Sequence, residues 1–265
     1  MSPEQARGEN PGPASDVFSL GVLFYEMATD FTQPAVTLID PANGSTGVPT
    51  NALIRIQFNK QVAIASADVE VYPYNVGLNI VLPGTLTVAS NGLSATFTPA
   101  APLQADTEYG VYLTGITDVT GAGLSTTTYS YFTTGTAAQT TAPTVVAVTP
   151  PNGGTGVPVN PVVQAQISVP VSAVSVGSGA ITVAAGGTAV AGTVSASSAL
   201  LTFTPASPLS VSTAYTMTVS GFTDLAGNPA TPFSSSFTTG SSGTAVTTGP
   251  TVSSCFPLCV VSVLD

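Results

Sequence analysis

Charged side chains are scarce in this chain: 6% of 265 residues, with three bases against thirteen acids and a net charge of −10. A globular domain ordinarily carries about 25%. Arg7, Arg55 and Lys60 are the only bases, too few to neutralise a phosphate backbone, which argues against nucleic-acid binding. Histidine is absent, removing the commonest general base and metal ligand. Both cysteines, Cys255 and Cys259, lie near the C-terminus, so no disulfide or thiolate-metal framework holds the rest. Long apolar runs are missing too: each is broken by Ser, Thr or Gly well short of the ~18 residues a spanning helix needs. Residues 1–30 lack the basic-then-apolar pattern of a secretory signal. Yet 43% of the chain is hydrophobic, which rules out a disordered polymer. The surface must be covered by Thr, Ser, Gly, Ala and Asn, as suits a secreted or cell-surface β protein.

What is present is a repeat. Asp40-Pro41-Ala42-Asn43-Gly44-Ser45-Thr46-Gly47-Val48-Pro49-Thr50-Asn51 returns 109 residues later as Thr149-Pro150-Pro151-Asn152-Gly153-Gly154-Thr155-Gly156-Val157-Pro158-Val159-Asn160. Pro, Gly and Asn make each phrase a turn. Each is followed by period-2 alternation: Ile54, Ile56 and Phe58 in the first copy, Val163, Ala165 and Ile167 in the second, which predicts half-buried strands. Val69–Tyr72 matches Ile181–Val183 as the next strand. Leu86 and Val88, then Ser90-Asn91-Gly92, then Leu93, Ala95 and Phe97 predict a hairpin, with Asn-Gly suited to a type I′ turn; the second copy shortens this turn. Tyr109, Val111 and Leu113 match Tyr215, Met217 and Val219 as inward positions. Gly115-Ile116-Thr117-Asp118 matches Gly221-Phe222-Thr223-Asp224, and both copies close on Phe-Thr-Thr-Gly at Phe132 and Phe237. Seven or so short strands per hundred residues predict a Greek-key sandwich.

Residues 1–30 are of another kind. Val17, Leu20, Leu23, Phe24 and Met27 fall at helical spacing behind Ser15 or Asp16 as N-cap, predicting a helix from about residue 15. Ser2-Pro3-Glu4 and the Asp16–Gly21 stretch resemble the end of the activation segment and the following helix of bacterial eukaryotic-like Ser/Thr protein kinases. The chain has no Gly-rich loop, β3-type lysine, H-R-D or D-F-G sequence. The kinase-like piece is therefore read as vestigial.

Pro34 and Pro143, the N-G-x-T-G-V-P-x-N phrase, F-T-P, the Tyr109 and Tyr215 strands, T-D-x-x-G and the closing F-T-T-G together resemble the bacterial Ig-like domain of S-layer and other surface proteins. The resemblance covers residues 34–135 and 143–240. It implies an all-β chain of two tandem Ig-like Greek-key β-sandwiches, with a short helical segment before them and an irregular tail after. The expected division is a kinase-like fragment at 1–31, Ig-like domains at 32–138 and 139–245, and a truncated third repeat or tail at 246–265. The family role implied is that of a spacer, stalk, lattice element or adhesin arm.

Candidate sites are few. Asp118 and Asp224, in matching loops, carry the carboxylate a Ca²⁺ site needs, but that ion takes 6–8 oxygens, usually from several carboxylates, and the second copy has no other acid. An Asx-type turn is the reading. Glu70 and Glu108 fall on outward strand positions; with Asp68 and Asp106 they read as solvated charge, not the paired acids of a glycosidase. Tyr109 and Tyr215 read as core or tyrosine-corner residues. Tyr72, Tyr74 and Tyr112 are expected to be exposed, in the first copy alone. Asn43-Gly44-Ser45 is a formal glycosylation sequon whose Asn and Gly already serve the turn. No catalytic, cofactor or metal site is expected. The function expected is a non-enzymatic, extracellular or cell-surface structural module, with a loop-based ligand- or glycan-binding adhesin as the alternative. Its partners would be further copies, neighbouring surface-protein modules or a cell-wall or surface glycan, with no nucleic acid and no membrane span.

Overall fold

The computed structural model describes residues 7–8, 33–65, 68–126, 128–242, 251–255 and 259–262. The helix expected from residue 15 lies outside the described residues. Among those described there is no α-helix, short 3-10 turns stand at Gly77–Asn79 and Ala173–Ser175, and no helix is long and apolar enough to cross a membrane.

The first module contains β1 (Val36–Asp40), β2 (Ser45–Val48), β3 (Ile54–Phe58), β4 (Val62–Ala63), β5 (Val69–Pro73), β6 (Gly84–Val88), β7 (Ser94–Pro99), β8 (Glu108–Leu113), β9 (Thr117–Asp118) and β10 (Thr128–Thr134). One sheet runs β1-β3-β7-β6 and the other β2-β10-β8-β5, with β4 and β9 paired beside them. This is the Ig arrangement, its first strand split so that β1 joins one sheet and β2 the other. The second module repeats it with β11 (Val145–Thr149), β12 (Gly154–Val157), β13 (Val163–Ile167), β14 (Ile181–Ala185), β15 (Thr188–Ala189), β16 (Gly192–Ser197), β17 (Leu200–Pro205), β18 (Ala214–Val219) and β19 (Phe233–Thr239). Its sheets are β11-β13-β17-β16 and β12-β19-β18-β14-β15. Farther on, Thr251–Cys255 and Cys259–Ser262 pair as an antiparallel hairpin.

Alternation does what it predicts. Ile54, Ile56, Phe58, Val111 and Leu113 are buried between the first pair of sheets, and Val163, Ala165, Ile167, Met217 and Val219 between the second. The repeated phrase is a clasp between strands. Asn43 Oδ1 accepts from Tyr131 N at 2.9 Å, and Gly44 N donates to Tyr131 O at 2.7 Å. Asn152 and Gly153 do the same at Ser236, at 3.0 and 2.7 Å. Gly44 holds φ at +79° and Gly153 at +75°, a conformation open chiefly to glycine.

Tyr109 and Tyr215 are core residues. Each hydroxyl accepts the backbone N–H five residues upstream, from Gln104 and Ser210, at 2.8 Å. Their rings stack on Phe132 and Phe237. The hairpin turn differs from expectation. Only Gly92 has positive φ (+66°); Asn91 does not. Asn91 uses its side chain to accept from Leu93 N at 3.0 Å, and Gly92 N donates to Ala89 O at 2.8 Å. The turn spans one residue pair more than a type I′ hairpin, so αL geometry is needed once, at the glycine.

Candidate functional site: a module junction and a tyrosine-clad face

The two T-D-x-x-G loops spend their carboxylates internally. Asp118 Oδ1 accepts from Thr120 N, Thr120 Oγ1 and Ala122 N at 2.8, 2.6 and 3.0 Å, while Lys60 Nζ stands 3.5 Å from Oδ2. The Thr120 hydroxyl is the largest influence holding this carboxyl at about 2, against the opposing effect of desolvation; the two N–H groups and Lys60 add to it. Asp224 Oδ1 accepts from Ala226 N and Asn228 N at 3.0 and 2.8 Å, and its Oδ2 from Asn228 Nδ2 at 2.8 Å. These are Asx turns, their oxygens occupied by the loop's own donors. Asp68 Oδ2 likewise accepts from Ala65 N at 2.7 Å, and Asp106 sits in a turn at φ +48°.

The second loop has a further task. Asp224 O accepts from Arg55 of the first module at 3.1 Å, and Leu225 O accepts from Leu53 N at 2.9 Å. The Leu225 side chain, 7% exposed, belongs to the first module's hydrophobic core. Nearby, Asp40 is 2% exposed; its Oδ2 accepts from Ser172 Oγ at 2.6 Å and Val174 N at 2.9 Å, both of the second module. Burial lowers the Arg55 pKa, opposed by Asp40 and Asp224. The connecting segment is pinned as well: Asn51 exchanges two hydrogen bonds with the Gln139 backbone, at 2.8 and 2.9 Å, and Asn228 Nδ2 donates to Gln139 O at 3.1 Å. Gly227 closes the contact, since a Cβ there would meet Leu53 Cδ1 at 3.0 Å.

A second surface lies on the outward face of β2-β10-β8-β5. Strand register sets it out as a grid: Glu70, Tyr112 and Tyr129 in one row; Tyr72, Gly110 and Tyr131 in the next; Glu108 and Thr133 in the third. Tyr74, just beyond β5, joins the third row through its N–H to Glu108 O at 2.8 Å. Tyr112 and Tyr129 stack with centroids 4.7 Å apart, and Tyr74 meets Tyr131 edge-on at 5.1 Å. Tyr72 was expected to be exposed and is 5% exposed instead. It lies over Gly110, where a Cβ would come within 2.5 Å of its Cζ, so the ring fills the space the glycine leaves. Burial, reinforced by Tyr131, raises the Tyr72 phenol above its ordinary pKa. Tyr129 and Tyr131 escaped the sequence reading; the alternation of Tyr129, Tyr131 and Thr133 with Ser130 and Phe132 was the available signal. The loop beyond Tyr74 also exposes Val76, Leu78, Ile80 and Val81.

Residues 30–134 and 139–239 each match the family model described as bacterial Ig-like domain. Among solved structures, the chain is similar to the N-terminal part of the bacterial S-layer protein SbsC, at 15% identity and TM-score 0.34, over 85% of this chain and 50% of that one. Domains 1–6 of surface layer protein SbsC give 14% identity, TM-score 0.33 and coverage of 86% and 38%. An L,D-transpeptidase from Mycobacterium tuberculosis gives 16%, 0.26, and 50% and 48%. The chain thus spans half or less of the length of these structures, and the likeness does not bear on activity. No curated protein matches the chain.

Proposed function

The chain belongs to the bacterial Ig-like domain family, and from that premise we propose that it is a non-enzymatic surface structural module, a two-domain spacer whose halves are held at a fixed angle. The observation that supports this reading is the junction. A freely jointed pair would keep its polar groups wet, whereas here Asp40 is buried with two hydrogen bonds to the other module. Leu225 meanwhile fills the neighbouring core. Interfaces between domains are generally polar and mobile unless apolar surface is buried across them; this one combines an apolar plug with a buried, hydrogen-bonded Asp40 side chain, which supports a fixed orientation. A spacer needs no catalytic group, and residues 1–30, for which the comparisons support no kinase fragment, take no part in this reading. The family and a sequence rich in Thr and Ser support placement at the cell surface.

Small-angle X-ray scattering of the full chain tests this. The expected result is a single narrow distance distribution, which broadens when Asp40→Ala and Leu225→Ala are combined. A wild-type distribution as broad as that of the double variant overturns the fixed-angle reading. Assembly of further copies along the open edges of the sheets is tested separately by light scattering: a monomer at all concentrations removes assembly and leaves the spacer intact.

A further inference from the structure

We propose that the outward face of β2-β10-β8-β5 in the first module is a binding site for an amine-bearing glycan, a polymer of amino sugars with free ammonium groups. The inference does not rest on the spacer reading. It starts from the difference between the two copies. The second module has the same strands in the same register, and at the places of Tyr72, Gly110, Tyr112, Tyr129 and Tyr131 it carries Ala184, Thr216, Thr218, Ser234 and Ser236. The fold therefore does not require an aromatic face. Yet five of the chain's eight tyrosines are gathered there. The large exposed rings include Tyr74 at 52% and Tyr129 at 51%, the first held edge-on against Tyr131 and the second stacked on Tyr112, so little side-chain freedom is lost on binding.

Three features select the ligand. Pyranose rings offer apolar C–H faces and equatorial hydroxyls, which tyrosine meets with a π-face and a hydroxyl that both donates and accepts. The charge on the face is all of one sign: Glu70 and Glu108 flank the rings, and among the described residues neither has an ion-pair partner. Lys60 and Arg55 are engaged elsewhere, at Asp118 and at the junction. That excludes an anionic polymer and favours ammonium groups, which carboxylates attract and aromatic faces stabilise further. Finally, the rings stand on the flat of the sheet, which presents side chains, whereas an extended peptide is recognised chiefly through main-chain groups at a sheet edge.

The chain contains no tryptophan and five of its eight tyrosines lie on this face, so a binding-induced change in tyrosine emission that is lost in the tyrosine variants below reports on it. Full-length protein is titrated with a β-1,4-linked glucosamine hexamer, its N-acetylated counterpart and a hexalysine peptide. Saturable binding of the glucosamine hexamer is expected, weakened by salt and markedly tighter than that of the other two. Tyr129→Ser with Tyr131→Ser, which installs the second module's own residues, should weaken it about tenfold or more, a factor in line with losing two aromatic contacts. Glu70→Gln should weaken glucosamine binding several-fold and leave the weaker N-acetylated interaction unchanged. Unaltered thermal unfolding of these variants excludes misfolding as the cause. Absence of saturable binding overturns the proposal, as does wild-type affinity in the double serine variant. Equally tight hexalysine binding with the same tyrosine dependence overturns the glycan assignment and identifies a surface for cationic peptides.

Discussion

Leu225→Ala separates a true inter-module core from two modules that merely touch. The side chain belongs to the second module by sequence and to the first by packing. Truncation removes three carbons from a site 7% exposed. At about 0.8 kcal/mol per buried carbon plus a partial cavity term, the loss is about 2–3 kcal/mol. The backbone bond from Leu53 N to Leu225 O survives the change, so the side chain alone is probed. In calorimetry of the full chain, an interface contributes only while both modules are folded. Its loss must therefore appear in the first unfolding transition and leave the second unchanged. For domains of this size that is a fall of roughly 10 °C or more in the first midpoint. Val119→Ala is the internal control. Val119 occupies the matching loop position in the first module, is 72% exposed, and should shift neither midpoint beyond the ~0.5 kcal/mol usual for surface changes. If Leu225→Ala instead lowers only the second transition, or behaves like Val119→Ala, the plug does not couple the modules and the rigid-junction argument fails.

Asp40→Ala leaves Ser172 Oγ and Val174 N without their acceptor, and should lower the same first transition by about 1–3 kcal/mol, with Asp40→Asn losing less than half as much. Ser130 Oγ is fully buried and, among the described residues, has no hydrogen-bond partner; Ser130→Ala is expected to be neutral or to raise the first module's stability by up to ~1 kcal/mol, and a loss larger than that would reveal a partner. The Asp118 carboxyl titrates at about 2 in the fold against an ordinary 3.8, so its contribution is complete above pH 4 and disappears as pH falls through 2; the gap in thermal midpoint between wild type and Asp118→Asn should close across that window and stay constant from pH 5 to 7. Gly110→Ala places a Cβ against Tyr72 and should cost about 1–3 kcal/mol by overpacking. Adding Tyr72→Ala, the second module's residue, should restore most of that in urea titrations.

What the sequence disclosed and what it withheld follow from the range of the forces involved. Turn chemistry and alternation are local, so the Asn43 and Asn152 clasps, the inward Tyr109 and Tyr215, and the Asx turns at Asp118 and Asp224 could be read from a few residues each. The hairpin at Asn91 was misjudged because two turn types share the Asn-Gly pair, and the αL demand falls on one residue or on both according to strand pairing. Tyr72 was misplaced because parity says which face a residue occupies and not what lies beside it; a glycine on the adjacent strand decides whether an outward ring is solvated. The junction was beyond such reading altogether. Its partners are separated by at least 88 residues, and nothing local distinguishes Asp40 from a solvated carboxylate.

Duplication nonetheless leaves a trace of both surfaces. Where the copies agree, the residues serve the fold: Asn43 and Asn152, Tyr109 and Tyr215, Thr134 and Thr239, each making the same hydrogen bonds in its own module. Where they disagree in chemistry at one register position, the fold has no preference and another demand has set the residue. Asp40 stands against Thr149 and Arg55 against Gln164, Leu225 differs from Val119 in burial (7% against 72% exposed) rather than in chemistry, and Tyr129 and Tyr131 stand against Ser234 and Ser236 in such a comparison. The first three pairs divide in a telling way. The contact residues sit at different register positions in the two modules, Asp40 and Arg55 in the first and Leu225 in the second, as a head-to-tail contact requires, since each module offers the other a different pole. A symmetric contact would use the same position in both. The tyrosines of the outward β2-β10-β8-β5 face follow neither pattern: all five lie in one module, and none of them is among the residues that bond across the junction, which is why the proposed ligand is assigned to them.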